Sequence, residues 1–331
     1  MTSFTAKTGT DLPIQEVFYS DKEDYIAVVG ARTSSLVSPL DDPLAIRRAF
    51  HSSIGNQYRF INQGLLQIRI FPEPIPDNDK KQRILVVFQQ GYTYNDIQRI
   101  NEYTKKLKAR IVYVKNVQEL IQFLNQRIEK QRYIRKLVFF SHGVVGKICF
   151  HYDGDREEQG ELTSELITQV KSSSFHYDAE VISYACRTGI GRDGSSFSNS
   201  IEAHPEESLA QKMATAWKVT VFAFEKRSSY AGTYGTDKEY AQASEAKLKG
   251  DKYKRQKRDY DNGRSKTPPS EFLRLGYESK KEHADALETR DSNEDNGGGP
   301  IMPLGAWHLP TSGETPTGLK NGLQSYRFKK Q

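Results

Sequence analysis

Between residues 80 and 225 the chain alternates two hydrophobic patterns. Short unbroken apolar runs, ILVVF (84–88), RIVYV (110–114), KLVFF (136–140), EVISY (180–184) and VTVFAF (219–224), are separated by stretches in which apolar residues return every third or fourth position. The runs have strand length, are rich in β-branched and aromatic residues, and lack polar alternation. That is the pattern of strands buried on both faces. The stretches between them predict helices. One, capped by Asn95, places Ile97, Ile100, Thr104 and Leu107 on one face; a second carries Val117, Leu120, Ile121, Leu124 and Ile128. A third is expected near Thr163–Val170. A fourth starts at Pro205, Glu206 and Glu207 and continues through Leu209, Met213 and Trp217. Lys147–Tyr152, running into Asp153-Gly154, reads as half of a hairpin. Strands alternating with amphipathic helices predict an α/β protein, a three-layer α/β/α core with a mostly parallel sheet over residues 80–230.

The flanks have a different texture. Residues 1–75 read as a small α+β N-terminal extension, with strands at Tyr25–Gly30, Tyr58–Asn62 and Leu65–Ile70 and a short helix near Pro43–Ser52. PEPIPDND (72–79), with three prolines, marks the expected boundary. Residues 231–331 are polar and irregular, broken by NGGGP (296–300), and are expected to complete the sheet or the substrate pocket. No internal repeat is present.

Composition narrows the class. The chain has 331 residues, of which 36% are hydrophobic and 27% charged, and no apolar run approaches the ~20 residues of a bilayer span. The first residues lack the basic start and apolar stretch of a signal peptide. The two cysteines, Cys149 and Cys186, do not make a disulfide framework. The expected setting is cytoplasmic, or secreted without a cleavable signal peptide. The net charge of +6 is local, because Lys247–Lys266 holds nine Lys and Arg against three Asp. This basic loop reads as a solvated, disordered segment. Its alternatives are a nucleic-acid or anionic-surface site, or a site for a polyanionic activator or acidic partner.

The candidate chemistry lies at strand ends. In a parallel α/β sheet, function gathers beyond the carboxyl ends of the strands. KLVFF delivers His142 there, and EVISY delivers Cys186. A thiolate is a nucleophile, and a neighbouring imidazole takes the thiol proton or protonates the leaving amine. Gly143 would let a backbone N–H approach a substrate carbonyl closely. Cys149, inside KICFHY, reads as core packing. His151, His176 and His204 read as surface or capping residues. No CxxC or HxxxH spacing suggests a metal, and no cofactor is expected. GIGRDG (189–194) matches G-x-G-x-x-G but is displaced from its strand and is not followed directly by a helix; it reads as a loop near the site.

These residues carry a resemblance. FFSHG, a short hairpin with Asp153-Gly154, a helix, then VISYACRTG with 44 residues from His142 to Cys186, resembles the caspase-like (clan CD) cysteine peptidases. That group contains caspases, metacaspases, legumain, CHAT-type proteins and the self-processing protease domains of large bacterial toxins. SLAQKMATAWKVTVFAF looks like the helix–strand unit after the cysteine in bacterial members, and the likeness covers about residues 80–225. It implies Cys186 as nucleophile, His142 as proton carrier, the Gly143 and Cys186 amides as oxyanion hole, and a protein or peptide substrate. By analogy it suggests a self-processing bacterial effector or defence protein. It also permits an activator such as an inositol phosphate at the basic stretch. Arg187 and Thr188 would orient the loop or line the substrate pocket, and Arg187 would equally well pair with a carboxylate. Asp193 would be a pocket acid selecting Lys or Arg. The alternatives are a catalytically inactive scaffold of the same fold and a binding module built on the basic stretch.

Overall fold

The structure is a computed structural model and describes residues 22–31, 58–74, 79–151, 159–281, 284 and 301–328. Twelve strands occur among them. In chain order β1 (Glu23–Val29), β2 (Lys81–Phe88), β3 (Arg110–Val114) and β4 (Tyr133–Phe140) precede a small antiparallel sheet of β5 (His142–Val144), β6 (Lys147–Cys149) and β7 (Glu161–Thr163). Then follow β8 (Phe175–Ser183), β9 (Thr220–Phe224), β10 (Ser228–Ser229), β11 (Thr311–Ser312) and β12 (Leu323–Arg327). The main sheet has seven strands in the order β12-β9-β8-β4-β1-β2-β3. Every pairing is parallel except β12 with β9.

Both faces of this sheet are covered. Ile26, Val28, Ile84, Val86 and Phe139 pack with α3 (Val117–Glu129) and α4 (Leu209–Trp217). Ala27, Val29, Leu85, Val87, Val138 and Phe140 face the other way, onto α1 (Arg59–Ile70), α2 (Tyr94–Lys106) and the segment around Ile301–Leu309. The continuous apolar runs are thus explained by burial from two sides. The architecture is mixed α/β with a mostly parallel sheet, compatible with three α/β/α layers. Among the described residues no helix is long and apolar enough to cross a membrane.

The expected boundaries do not follow the sheet. β1 is no part of a separate extension; it lies between β4 and β2 near the centre. The proline-rich stretch is the α1–β2 connection inside the fold. Tyr58–Asn62 and Leu65–Ile70, read as two strands, form the single helix α1. Its residues Phe60 through Ile68 are all buried, polar Asn62, Gln63 and Gln67 included, so polarity along the segment does not track exposure. Gly64 at its midpoint makes the close approach possible, since a Cβ there would stand 2.4 Å from Val29 Cγ1 and 2.9 Å from Leu85 Cδ1. The helix expected near Pro43–Ser52 lies outside the described residues.

Smaller differences have local causes. α2 is capped by Thr93, not Asn95, through a reciprocal capping box with Asp96. Thr163–Val170 holds only a short 3₁₀ turn, Leu166–Gln169, after β7. The region beyond 231 does complete the sheet, through β12. Asp24, fully buried at the start of β1, is held by Arg127 at 3.0 Å and by Arg132. Asn62 ties α1 to the late segment: its Oδ1 accepts from Met302 N–H at 2.8 Å and its Nδ2 donates to the Tyr234 hydroxyl at 3.0 Å.

The basic stretch is helical for most of its length. It occupies the second half of α5 (Asp237–Asp261), a helix of 25 residues, and the turn after it. α6 (Glu271–Glu278) returns antiparallel along α5, with Gly250 against the Tyr277 ring and Lys249 and Lys254 over the Phe272 and Tyr277 rings at 5.4 and 5.1 Å. Thr236 and Glu239 form a capping box at the start of α5. A good cap and a favourable run of Glu, Ala, Lys, Gln and Arg make a helix of the stretch that read as a disordered segment.

Candidate active site

His142 and Cys186 leave the sheet side by side. β4 and β8 are neighbours in parallel register, with Phe139 opposite Ser183. Each candidate residue therefore stands three positions beyond that pair, at the same edge. The turn that follows His142 lies directly on the cysteine's backbone: a Cβ on Gly143 would fall 2.6 Å from the Cys186 carbonyl oxygen and 2.8 Å from its nitrogen. Only glycine permits that contact.

Cys186 is half-buried. Its Sγ lies 3.1 Å from the Ser228 hydroxyl and accepts from the Ser228 N–H at 3.3 Å. An N–H donor and a hydroxyl thus meet the sulfur, and both can donate to it once it is a thiolate, which stabilises negative charge forming there. Ser228 is held in β10 by its pairing with β11, by Arg227 N–H donating to Thr315 O, and by Gly313 N–H donating to Arg227 O, both at 2.7 Å. The amides around Cys186 are used selectively. Tyr184 N–H donates to Phe139 O and Arg187 N–H to Lys226 O, while the Cys186 N–H has no acceptor among the described residues.

His142 sits in an aromatic and cationic niche built by α1. The Phe60 ring meets it edge-on at 4.9 Å, and Arg59 Nη2 lies 3.5 Å from its Nε2. Burial, with the Arg59 charge beside it, lowers its pKa from the ordinary 6.5 to about 3. The imidazole is therefore neutral across the physiological range. Tyr230 closes the niche, its ring 5.9 Å from Phe60 and 5.4 Å from the Arg59 guanidinium.

The remaining sequence expectations divide. Arg187, with φ of 56°, turns the chain after Cys186 and pairs with Asp193. That pairing neutralises Asp193, so it is not a free acid awaiting a basic side chain. Both residues do line a cleft of about 560 Å³ together with Gly194, Ser195, Arg227, Thr315 and Pro316. Thr188 lines nothing: it is fully buried, and its hydroxyl donates within 3.2 Å to Ser183 and Ala185. A second cleft, about 640 Å³, lies between Tyr184, Phe224, Lys226 and residues 310–314. Neither cleft is lined by His142 or Cys186, so their position marks the site's flanks and not its chemistry.

Cys149 is buried, with Sγ 3.9 Å from Glu161 Oε1, as a core residue should be. His151 is buried instead of exposed, with Gly160 packed on its ring. His176 and His204 pair with Asp178 and Glu206. The GIGRDG amides serve the fold, Gly189 donating to Phe224 O at 2.9 Å and Gly191 to Ala203 O at 2.8 Å. No cradle for a pyrophosphate is left. Among the described residues, the one group of three side chains spaced to hold a metal is His204, Glu206 and Glu207, all on the surface.

Sequence reading missed Ser228, Arg59, Phe60 and Tyr230. Ser228 was findable, because RSSY follows β9 at the same carboxyl edge. Arg59 and Phe60 were hidden by the strand reading of their helix. Compared with protein families, with curated proteins and with solved structures, the chain matches none of them.

Proposed function

We propose that the chain is a cysteine peptidase of caspase-like fold, with Cys186 as nucleophile and His142 as proton carrier. The observation that carries this reading is the seating of the His142-Gly143 turn on the Cys186 backbone, at the ends of neighbouring parallel strands. In the reaction, Cys186 Sγ attacks the scissile carbonyl carbon while its proton passes to the imidazole. The tetrahedral oxyanion is met by the Cys186 and Gly143 amides. The imidazolium returns its proton to the leaving amine as the C–N bond breaks, leaving a thioester. Water then attacks the thioester, His142 taking its proton and giving it to the departing sulfur. Starting from a neutral imidazole suits this sequence, since the general base must be unprotonated before attack.

The test pairs peptide-library cleavage by wild type and Cys186→Ala with iodoacetamide mapping. Cleavage lost in the variant, and alkylation of Cys186 well ahead of the buried Cys149, is the expected outcome. No cleavage by wild type together with a Cys186 no faster than Cys149 would overturn the reading.

A second reading concerns the α5–α6 arm. Lys252, Arg255 and Arg258 are exposed and form no ion pair among the described residues. Such an arm offers phosphate-neutralising charge to a polyanion.

A further inference from the structure

The α5–α6 arm carries more than its charge. Nine large hydrophobic side chains are exposed among the described residues, and four of them, Leu248, Tyr260, Phe272 and Leu275, stand on this arm. The other five fall singly on five different elements, which is ordinary for a protein surface. On the arm Phe272 is 71% exposed, Leu248 63% and Leu275 53%. No residue from Asp251 through Lys281 is buried, so beyond Gly250 the two helices have no core of their own. A helical pair of this kind gains little from its own burial and has apolar surface left to give to something else. The apolar and basic groups are also ordered. Phe272 and Leu275, three residues apart, share one flank of α6, and Lys249 reaches across from α5 to lie over the Phe272 ring at 5.4 Å. On α5, Leu248, Lys252 and Arg255 follow at intervals of four and three and so form one exposed stripe. Much of the local acid is already used: Glu271 and Glu278 pair with Arg274, Glu245 with Lys249 and Asp261 with Lys257. From Lys247 to Lys281 twelve Lys and Arg stand against five Asp and Glu, a net +7, which leaves −1 for the rest of the chain.

Exposed aliphatic groups set among free cations match the boundary of an anionic bilayer, where apolar side chains enter the acyl region and cations stay among the phosphates. We propose that the arm is a peripheral anchor for an anionic phospholipid surface, in which Leu248, Phe272 and Leu275 enter the leaflet while Lys252, Arg255 and Arg258 hold its headgroups. This rests on the polyanion reading of the arm and names the polyanion; it does not depend on the peptidase reading. Two observations favour a leaflet over other polyanions. Single-stranded nucleic acid stacks its bases on flat rings, and two of the three most exposed apolar groups on the arm are leucines, which offer no such face. A soluble polyphosphate is compact, whereas the cations of α5 from Lys247 to Arg258 are spread along about 17 Å of helix, at ~1.5 Å per residue. A leaflet is continuous and accepts both the spread charge and the aliphatic groups. The contact is one of lying on a membrane, which needs no spanning helix, and none of the described helices is long and apolar enough to span.

In the test, full-length protein is mixed with phosphatidylcholine vesicles, with and without about 30 mol% phosphatidylserine, and sedimented. Wild type should pellet with the anionic vesicles and stay in solution with the neutral ones. Lys252→Ala, Arg255→Ala and Arg258→Ala together should weaken vesicle affinity by about tenfold or more, since each cation near the surface is worth about fivefold. Phe272→Ser with Leu275→Ser should weaken it by about tenfold while leaving the affinity for single-stranded DNA as in wild type. Both side chains are exposed, so these replacements open no cavity in the fold. Insertion is read directly with Phe272→Trp on vesicles of brominated phosphatidylcholine and phosphatidylserine. The fluorescence this variant adds should be quenched, whereas the wild-type emission, from the buried Trp217 and Trp307, should not. Vesicle binding that ignores the two serines, with no quenching, would overturn the proposal and leave a purely electrostatic contact. DNA affinity that falls in step with vesicle affinity would overturn it in favour of base stacking. Binding of DNA but of no vesicle would overturn the lipid anchor and leave the polyanion reading standing; binding of neither would end both.

Discussion

The Ser228 amide and hydroxyl both bear on the Cys186 sulfur, at 3.3 and 3.1 Å, although 42 residues of sequence separate the two. The amide fixes where the sulfur sits. The hydroxyl adds a donor that rotates to follow charge as it forms.

Ser228→Ala removes only the second of these. The rate of Cys186 alkylation at neutral pH should drop about two- to tenfold, the worth of one hydrogen bond. Competition between iodoacetamide-labelled variants, read by mass spectrometry, measures it. An unchanged rate would mean that the hydroxyl is a bystander.

His142 gives stability a definite dependence on pH. Its midpoint of about 3 in the fold lies below the ordinary 6.5, so between those values the unfolded chain binds a proton that the folded one refuses. The contribution is fully present above pH 6.5 and is lost as pH falls toward 3, at no more than about 1.4 kcal/mol per unit. Urea unfolding at pH 7, 6, 5 and 4 should show a shallower decline for His142→Gln than for wild type. Parallel declines would place the imidazole in a wetter setting than its burial indicates.

Gly64 is the tightest point between α1 and the sheet. Gly64→Ala puts a methyl 2.4 Å from Val29 Cγ1, so either the helix or the central strand must shift. A loss of about 1–3 kcal/mol is expected from overpacking of this kind. Denaturant midpoints at an unchanged m-value would register it.

The basic arm is tested by salt. A 20-mer of single-stranded DNA, followed by fluorescence anisotropy, should bind with log K falling linearly against log salt concentration. Replacing Lys252, Arg255 and Arg258 by Ala should flatten that slope by about 2, at roughly 0.7 for each phosphate no longer neutralised. No binding at low salt would reduce the arm's charge to a means of staying solvated.

The legible part of the molecule was the part with a single environment along each run. ILVVF, KLVFF and VTVFAF are buried on both sides, and their unbroken hydrophobicity announces it. The two residues at the strand ends, His142 and Cys186, followed from topology alone. α1 was illegible because the sheet and the late segment bury polar Asn62, Gln63 and Gln67 along with the apolar positions, and the stretches on either side of Gly64 each pass for a short strand. β1 was readable as a strand but not as a central one, since nothing local states which neighbours a strand will take. Ser228 and Tyr230 follow β9 at the same carboxyl edge and were readable from topology, whereas Arg59 reaches the site through packing between residues far apart in sequence, of which local periodicity carries no trace.

β12 has one more implication. It pairs along β9, and its Tyr326 hydroxyl donates to Gly189 O at 2.6 Å, beneath the loop that carries Cys186. β11, from the same late segment, clamps the strand bearing Ser228. Proteolytic nicking in the turn between α5 and α6 would therefore yield two polypeptides that stay interlocked, comigrating under native conditions and parting only in detergent. The molecule is, in this sense, already laid out as a split protein whose halves complement each other.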